Sequence, residues 1–363
     1  MASLEVQVCG LSLRNPVLPA AGPPVRNGEA MVACASGGAG GLVSKTVSVL
    51  PAAVPTPNMA EIRSGFLNTE LWSELPAEQW IAHEYPLARE TGLPLIISLG
   101  YSASDITNLA PRVCPFADAL ELSTHYIGED PRPMVEAIRA AKKAVNIPVL
   151  VKLSPLGREI VAAAEAAQDA GADGLVLVNS FGPCLAIDAE TALPLMGSET
   201  GYGWLSGPAL KPLALRCIYD VAHVVDLPIF GVGGVSRGVD AIEMMMVGAS
   251  AVQVCTAAIL KGPSIFGKIA SEMDAWLEDH GYQSVNEIKG LTLSRLEQRH
   301  LRSSAVSPTL DLEVCTGCGL CEISCVYDAI HVIDRKAVLD ADQCAGCGLC
   351  VTRCRPGALH MEL

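Results

Sequence analysis

Residues 315–325 read CTGCGLCEISC and residues 344–354 read CAGCGLCVTRC, so the same run of cysteines occurs twice. Three thiolates at this spacing bind three irons of one cubane, and the fourth cysteine of the run binds the other cluster. The spacing therefore predicts two [4Fe–4S] clusters. The first would be held by Cys315, Cys318, Cys321 and Cys354, and the second by Cys344, Cys347, Cys350 and Cys325.

A zinc site or a set of disulfides would fit the spacing of these cysteines poorly. A zinc ribbon uses two pairs of ligands rather than two quartets, and a disulfide framework is typical of small secreted chains. Val326 follows the first run where proline is usual, whereas Arg355-Pro356 keeps that proline, and this difference removes no ligand. The segment resembles a bacterial-type two-cluster ferredoxin, which implies a small α+β domain that transfers single electrons.

Length and charge limit what the remainder of the chain can be. A chain of 363 residues has room for one domain of about 250–300 residues beside a small one. The net charge of −14 argues against nucleic acid or an anionic membrane surface as a partner. The remaining cysteines are scattered without pair spacing, which predicts a reducing, cytoplasmic setting. They are Cys9, Cys34, Cys114, Cys184, Cys217 and Cys255.

No targeting or membrane segment is expected from the sequence. Residues 1–8 include Glu5 and contain no apolar run of the kind found in signal peptides. The most apolar stretch, 244–260, is interrupted by Gly248 and Gln253 and is short for a membrane span. We therefore expect this stretch to belong to a buried core.

Short apolar runs alternate with Ala-rich helical stretches, such as 134–145, 159–170 and 208–225, along the first three hundred residues. Eight such units in this order predict a closed parallel (β/α)8 TIM barrel, of the α/β class, better than a doubly wound sheet. The predicted strands are 17–20, 41–45, 94–99, 119–122, 148–153, 174–178, 228–231 and 251–254.

Function in such a barrel lies at the carboxyl ends of the strands. These ends carry two lysines, an amide and several hydroxyls, which together predict a polar rim able to accept an anion. Gly231-Val232-Gly233-Gly234 does not complete the dinucleotide pattern G-x-G-x-x-G, because residue 236 is Ser. Its place before a helix indicates a phosphate cradle of backbone N–H groups instead.

Residues 1–300 resemble the dihydroorotate dehydrogenase family of FMN barrels, especially its class 1 enzymes. With the ferredoxin-like tail, the arrangement is similar to the pyrimidine-reducing half of dihydropyrimidine dehydrogenase. The resemblance lies in Asn15-Pro16, Ala21-Gly22, Ser44-Lys45-Thr46, Gly65–Asn68, Val151–Pro155, Val178-Asn179-Ser180, Gly231–Gly234, Lys261-Gly262-Pro263 and Gly281–Ser284.

The resemblance implies FMN at the barrel mouth. Lys45 and Lys152 would lie near the flavin, where positive charge stabilises the reduced ring, although a lysine at a strand end could instead pair a barrel carboxylate. The family usually has glycine at the position of Cys255. The residues implied for FMN are Ala20, Ala21, Gly22, Lys45, Thr46, Ser123, Lys152, Asn179, Ser206, Gly207, Gly233, Gly234, Cys255 and Thr256.

The active-site signature of the family, Asn-x-Ser-Cys-Pro-Asn or close to it, is not kept. Ser123 replaces the first Asn, Tyr126 replaces the Cys that serves as acid/base, and Gly128 replaces the last Asn. Tyr126 and His125 are the candidate catalytic residues, because both types perform acid–base work when their pKa is suitable. The residues left for substrate binding are Asn68, Asn179 and Ser180.

Losing half of the recognition set argues against dihydroorotate and uracil, because a site built for polar ring groups discriminates strongly. The first hypothesis is an iron–sulfur flavoprotein oxidoreductase acting on a CH–CH group of another small molecule. The second is a divergent dihydropyrimidine or dihydroorotate dehydrogenase whose acid comes from near Asn68, Tyr202 or Ser206. The third is a non-catalytic electron-relay subunit with FMN between its clusters and a partner.

A change of composition places the domain boundary near residue 305. We expect an FMN-binding barrel over 1–305 and a two-cluster domain over 306–363, with a linker within 284–310. The chain shows no NAD or FAD module, so the electron partner would be a separate ferredoxin or an NAD(P)H/FAD flavoprotein subunit, and a homo- or hetero-oligomer is expected. A local basic patch that includes Arg353 and Arg355 would receive an acidic partner.

Overall fold

A computed structural model describes residues 2–100, 102–123, 130–299 and 304–361. The chain divides into two compact units, Met1–Glu297 and Gln298–Leu363. In the described part of the chain, no helix is long and apolar enough to cross a membrane.

The first unit is built on a parallel sheet of eight strands. In chain order they are β1 (Val17–Pro19), β2 (Leu42–Val43), β3 (Leu95–Leu99), β4 (Ala119–Leu122), β5 (Val149–Leu153), β6 (Gly174–Leu177), β7 (Ile229–Val232) and β8 (Ala251–Val254). Each strand from β2 to β7 pairs with the next along the chain, and β8 pairs with β1. Between β1 and β2, Gly40 N donates to Val17 O over 2.8 Å and nearly closes the ring.

The barrel confirms the (β/α)8 prediction. Every barrel strand overlaps a predicted one, and the ends differ by at most a few residues. The strands are buried along their whole length, because a parallel sheet inside a ring of helices has both faces covered. Short, largely apolar runs such as Gly174–Leu177 therefore mark strands here.

Helices cover the outside of the ring, and the longer ones carry an apolar stripe at helical spacing. In Arg132–Ala144 the buried residues are Met134, Ala137, Ile138 and Ala141, which lie on one face. The α-helices of this unit are Gly28–Ser36, Ala77–Gln79, Tyr85–Arg89, Ala103–Val113, Arg132–Ala144, Ile160–Asp169, Lys211–Ala222, Gly238–Met246, Thr256–Lys261, Ile265–Asp279 and Leu291–Glu297. Shorter helical turns are Pro23–Val25, Trp80–Glu84, Cys114–Phe116, Gly157–Glu159, Pro208–Leu210 and Val285–Ile288.

A second, antiparallel sheet is formed by two excursions of the chain, one after β2 and one after β6. Its strand order is Phe181–Cys184, Gly203–Ser206, Gly65–Asn68 and Met59–Ile62. Gly65–Asn68 and Gly203–Ser206 pair with each other, with Trp204 opposite Asn68. Two-stranded ribbons occur at Val6–Val8 with Leu11–Leu13 and at Ile187–Asp188 with Leu193–Pro194.

The second unit repeats one motif twice. Gly319 and Gly348 adopt the left-handed conformation immediately before the short helices Leu320–Ser324 and Leu349–Arg353. Glycine suits these positions because a positive φ carries no Cβ penalty there. Two antiparallel pairs, Thr309–Leu310 with Leu359–His360 and Ile330–Ile333 with Lys336–Leu339, complete this small α+β unit.

Candidate functional site

A cavity of about 410 Å³ lies at the carboxyl ends of the barrel strands. All but one of the described residues that the sequence proposed for cofactor or substrate border it. They are Ala20, Ala21, Gly22, Thr46, Asn68, Ser123, Lys152, Asn179, Ser180, Ser206, Gly207, Gly233, Gly234, Cys255 and Thr256. The exception is Lys45. Tyr126 and His125 lie outside the described residues.

Lys45 is paired rather than directed at the cavity. Its Nζ donates to Glu70 Oε2 over 2.9 Å and to Glu74 Oε2 over 2.7 Å. The lysine side chain is 3% exposed, Glu70 12% and Glu74 48%, so the pair with Glu70 is the better shielded one. Glu70 also accepts a hydrogen bond from Asn58 and borders the cavity. The sequence analysis gave a strand-end lysine two possible roles, near the flavin or paired with a carboxylate. Lys45 is paired with carboxylates.

Lys152 belongs to a buried cluster inside the barrel. Its Nζ lies 3.6 Å from Glu121 Oε1, and Glu121 is fully buried. Glu121 Oε2 accepts from Gln253 Nε2 over 2.8 Å. Gln253 is also buried, and its Oε1 has no hydrogen-bond partner among the described residues. Both Lys152 and Gln253 border the cavity.

The loop after β7 is held by a carboxylate at the start of the following helix. Asp240 Oδ2 accepts from the backbone N–H groups of Ser236 and Arg237, over 2.9 and 3.0 Å. Burial opposes ionisation of Asp240, but hydrogen bonds from Lys211 and Ser236 outweigh it and hold the pKa of the carboxyl below its usual value. Asp240 occupies the start of this helix, where the sequence predicted a cradle for an anion. The residues left for that cradle are therefore Gly233 and Gly234.

Two hydroxyls face each other across the same end of the cavity. Ser206 Oγ and Thr256 Oγ1 lie 2.9 Å apart, and either can donate to the other. Gly207, next to Ser206, has φ +78°, and a Cβ added there would stand 3.3 Å from Thr256 Cγ2. One part of the lining therefore carries backbone and hydroxyl donors, a set suited to a phosphate group. These donors belong to Gly233, Gly234, Ser206 and Thr256.

The amide side chains keep part of their hydrogen-bonding capacity. Asn68 Nδ2 donates to Trp204 O, and its Oδ1 accepts from Glu70 N. Asn179 Oδ1 accepts from the N–H of Ser180. An amide group carries two donors and two acceptor lone pairs, so each asparagine retains groups for a ligand.

Cys255 is a neutral thiol in the cavity wall. Burial raises its pKa to about 11, although the nearby charge of Lys152 acts in the opposite direction. Its Sγ lies close to Gly22, where an added Cβ would stand 2.9 Å from the sulfur. The small residue at position 22 thus leaves room for the cysteine that stands where glycine is usual.

In the second unit, the cysteines gather into two groups around small cavities. Cys315, Cys318, Cys321 and Cys354 line one cavity of about 20 Å³. Cys325, Cys344, Cys347 and Cys350 line another of about 20 Å³. Each group thus includes the fourth cysteine of the other run. Within the described ranges, no three Cys, His, Asp or Glu side chains converge tightly enough for a single metal ion.

Backbone N–H groups point at several of these sulfurs. Ala329 N donates to Cys325 Sγ over 3.3 Å, and Ala358 N donates to Cys354 Sγ over 3.1 Å, so the two halves repeat the contact. N–H groups of Ala337 and Gly317 hold the pKa of Cys315 below its ordinary value. Such hydrogen bonds favour the thiolate, which is the form that binds iron.

Sequence reasoning missed three polar side chains of the site: Glu70, Glu121 and Gln253. Glu121 and Gln253 each stand inside a buried strand, β4 and β8. A charged or amide residue within such a run is costly to bury without a partner, and that signal marks both positions in the sequence. Glu70 follows Asn68 by two residues, and no pattern in the sequence separates it from the neighbouring Glu74.

The fold and the site define a barrel protein with a polar-lined cavity at the carboxyl ends of its strands, followed by a second unit that carries two groups of four cysteines. A family model described as "Dihydroorotate dehydrogenase" matches residues 3–277, and one described as "4Fe-4S dicluster domain" matches residues 308–358. The chain belongs to the dihydroorotate dehydrogenase family and carries a 4Fe–4S domain, which makes it an iron–sulfur flavoprotein oxidoreductase.

Curated relatives agree with this family. The "Dihydroorotate dehydrogenase B (NAD(+)), catalytic subunit" of Methanothermobacter thermautotrophicus is 38% identical, over 79% of this chain and 98% of the relative. The proteins of that name from Geobacter sulfurreducens and Pyrococcus abyssi are 35% and 34% identical, over 79% and 80% of this chain and 97% and 99% of the relatives. About a fifth of this chain therefore lies outside each alignment, while the relatives are covered almost completely.

The family implies FMN, and the cavity fits that cofactor. The unpartnered Oε1 of Gln253 is a buried acceptor in need of a donor. The same lining offers hydroxyl and backbone donors for a phosphate and the Lys152 ammonium for an electron-rich ring. Of the residues implied for FMN, only Lys45 is directed elsewhere.

Proposed function

We propose that this protein transfers two electrons between FMN and a CH–CH group of a small, uncharged molecule, and single electrons through two [4Fe–4S] clusters. The observation that carries the proposal is the cavity of about 410 Å³ in which Asn68, Glu70 and Asn179 border the same space as Lys152 and Gly234. A cavity with ring-binding amides on one side and phosphate donors on another has a place for both substrate and cofactor.

The charges around the cavity favour an uncharged substrate. Lys45 is paired with two carboxylates and Lys152 with Glu121, so both buried lysines already have counter-charges. The other cations of the lining, Arg63 and Lys261, are exposed to solvent, where their attraction for an anion is screened. A carboxylate buried in the cavity would therefore meet Glu70 without a compensating free cation among the described side chains.

The cavity offers a substrate the amide donors and acceptors of Asn68 and Asn179 and the carboxylate acceptor of Glu70. Such a set suits a molecule with N–H and C=O groups, because each buried polar group of the ligand finds a partner. Ser180 adds a hydroxyl beside Asn179. We assign proton transfer to Tyr126, with His125 as the alternative donor.

The cofactors follow from the family and the cysteine groups. FMN would be held by the cavity residues described above, and when bound it exchanges electron pairs with carbon and single electrons with clusters. The quartets Cys315, Cys318, Cys321, Cys354 and Cys325, Cys344, Cys347, Cys350 would each bind one [4Fe–4S] cluster, a proposal supported by their separate cavities.

We assign the flavin to residues 1–305 and the clusters to 306–363, with a linker within 284–310. The relatives are named as catalytic subunits of an NAD(+) enzyme, which supports a separate NAD(P)H/FAD subunit as electron partner here, or a ferredoxin in its place. The scattered cysteines outside the two runs support a reducing compartment such as the cytoplasm, which is the setting that we propose.

The test is anaerobic reoxidation of the reduced protein, followed by flavin absorbance. The panel pairs neutral and anionic alkenes: uracil and thymine against orotate, and neutral enones against fumarate and other enoates. We expect reoxidation by a neutral member and little by the anions, with slower reaction in Tyr126→Phe. Fast reoxidation by orotate or fumarate alone would overturn the proposed substrate class.

Dihydroorotate oxidation is the second candidate, favoured by the relatives' names and by Asn68 and Asn179 in the cavity lining. Rapid flavin reduction by dihydroorotate, with none by dihydrouracil, would establish it. The electron-relay alternative predicts that only one-electron acceptors reoxidise the protein, which is the result expected if no organic substrate enters the cavity.

A further inference from the structure

Four polar residues form a cluster inside the barrel, just below the cavity: Ser98, Glu121, Lys152 and Gln253. They come from β3, β4, β5 and β8. Glu121 is the centre of the cluster, since its carboxylate lies 3.6 Å from Lys152 Nζ, 2.8 Å from Gln253 Nε2 and 3.4 Å from Ser98 Oγ. Each of the four side chains is at most 5% exposed.

The cluster has two layers relative to the cavity. Lys152 and Gln253 border the cavity, whereas Glu121 and Ser98 do not. Glu121 is therefore the charge directly behind the residues that a ligand contacts. Ser98 continues the chain of contacts to Thr46, whose Oγ1 lies 2.9 Å from Ser98 Oγ and which borders the cavity again.

A fully buried carboxylate is retained only with partners, because its desolvation is costly. Glu121 has one cationic partner and two neutral ones, so its negative charge is opposed by Lys152 alone among the described residues. The reverse also holds: the field that Lys152 exerts in the cavity is reduced by a carboxylate 3.6 Å away in a medium of low dielectric.

We propose that Glu121 is a positioning residue that fixes Lys152 and Gln253 and lowers the reduction potential of the bound flavin. A cation bordering the cavity favours the reduced, more negative flavin, and Glu121 weakens that preference. A lower flavin potential makes electron transfer from the flavin to iron–sulfur clusters more favourable. The inference rests on FMN binding as proposed above, but it does not depend on which substrate is used.

The test uses the full-length protein loaded with FMN and its clusters. Sulfite adds to oxidised flavin and gives a negatively charged adduct, so its dissociation constant reports the positive charge at the ring. In Glu121→Gln, which keeps the shape and a hydrogen bond to Gln253, we expect sulfite to bind about tenfold more tightly. The flavin reduction potential, measured against redox dyes, should rise in the same variant.

Ser98→Ala is the matched control, because it removes a buried contact of Glu121 and leaves both charges in place. It should bind sulfite within about twofold of the unaltered protein, as expected for a loss of hydrogen bonding alone. If Glu121→Gln behaves like Ser98→Ala, with flavin content unchanged, Glu121 has only a structural role and the inference is wrong.

Glu121→Asp provides the second variant in case Glu121→Gln does not retain flavin. Aspartate keeps the charge, but its side chain is one methylene shorter, so the carboxylate lies farther from Lys152. We expect the sulfite affinity to increase by about threefold. An unchanged affinity in Glu121→Asp would contradict the inference. Flavin content, measured separately by absorbance of the released cofactor, distinguishes this outcome from a failure of the proposed FMN site.

Discussion

Lys45 and Glu70 form an ion pair at the edge of the cavity, with 2.9 Å between Nζ and Oε2. Glu70 borders the cavity and Lys45 does not. The charge presented to a ligand at this point is therefore the carboxylate, with the lysine behind it. In an enzyme that binds an anionic substrate, the opposite order would be expected, because charge complementarity selects the ligand.

Glu70→Gln should shift ligand preference towards anions. Uracil and orotate form a matched pair, since orotate adds a carboxylate to the same ring. Without the Glu70 charge, we expect the dissociation constant of orotate to fall about fivefold to tenfold and that of uracil to rise. Perturbation of the flavin absorbance by each ligand provides the measurement.

Glu74→Gln is the control for this change. Glu74 pairs with the same lysine at 2.7 Å but its side chain is 48% exposed, so solvent screens its charge. The affinity of Glu74→Gln for orotate should stay within about twofold of that of the unaltered protein. Equal effects of the two substitutions would mean that the position of Glu70 in the cavity wall is unimportant.

Gly234→Ala should weaken FMN binding, whereas Gly92→Ala should not. Both glycines have positive φ, +81° and +69°, so both substitutions introduce similar backbone strain. At Gly234 the new methyl would also stand 2.8 Å from Gly207 O and 2.9 Å from Lys211 N, whereas nothing lies within 4 Å at Gly92. We expect at least a tenfold rise in the FMN dissociation constant for Gly234→Ala alone, measured by titration of the flavin-free protein and equivalent to about 1.4 kcal/mol.

Retention of normal FMN affinity by Gly234→Ala would show that the loop after β7 does not hold the phosphate. A similar loss in both variants would point to general destabilisation, which thermal unfolding of the two proteins detects separately.

The barrel could be predicted from sequence because its strands are largely apolar runs. Gly174–Leu177 and Ile229–Val232 are buried on both faces, so local composition alone marks them. The second sheet could not be predicted in this way. Gly65–Asn68 and Gly203–Ser206 are short, glycine-containing segments that pair across the chain, and their pairing depends on the barrel that brings the two excursions together.

The candidate site was predictable where a residue's role follows from its place at a strand end. Thr46, Lys152 and Thr256 were found in this way and border the cavity. Pairings between distant side chains were not predictable, and Gln253 and Glu121, which are 132 residues apart in the chain, are an example. The partner of Lys45 depends likewise on how the segment after β2 folds back over the barrel.

The two cysteine groups predict a crossed pattern of cluster loss. Cys354→Ser should remove the same cluster as Cys318→Ser, and Cys325→Ser the same cluster as Cys347→Ser, because the fourth cysteine of each run lines the other group's cavity. Each variant should lose about half of its iron, and the electron paramagnetic resonance spectra of the reduced proteins should fall into these two pairs.

Cys114→Ser, outside both groups, should keep the full iron content and both signals. If instead Cys354→Ser gave the spectrum of Cys347→Ser, each run would hold its own cluster and the crossed assignment would be wrong.

Asp240 should make the loop after β7 sensitive to acid. Its pKa is lower in the folded protein than its ordinary value of about 3.9. The ionised carboxylate therefore stabilises the fold at all pH values above about 4, and this contribution is lost as the pH falls through the lower folded-state pKa. Asp240→Asn should lose about 1–3 kcal/mol of stability at pH 7, because the half-buried N–H groups of Ser236 and Arg237 and the Lys211 ammonium lose a charged acceptor.

Thermal unfolding between pH 7 and pH 3 tests this expectation. The difference in melting temperature between Asp240→Asn and the unaltered protein should be constant at neutral pH and should shrink below about pH 4. Asp130→Asn is the matched control, since the pKa of Asp130 is also lowered, by Arg132, but this pair lies at the surface, where solvent screens it. A difference for Asp240→Asn that persists unchanged to pH 3 would show that the carboxylate's charge does not hold this loop.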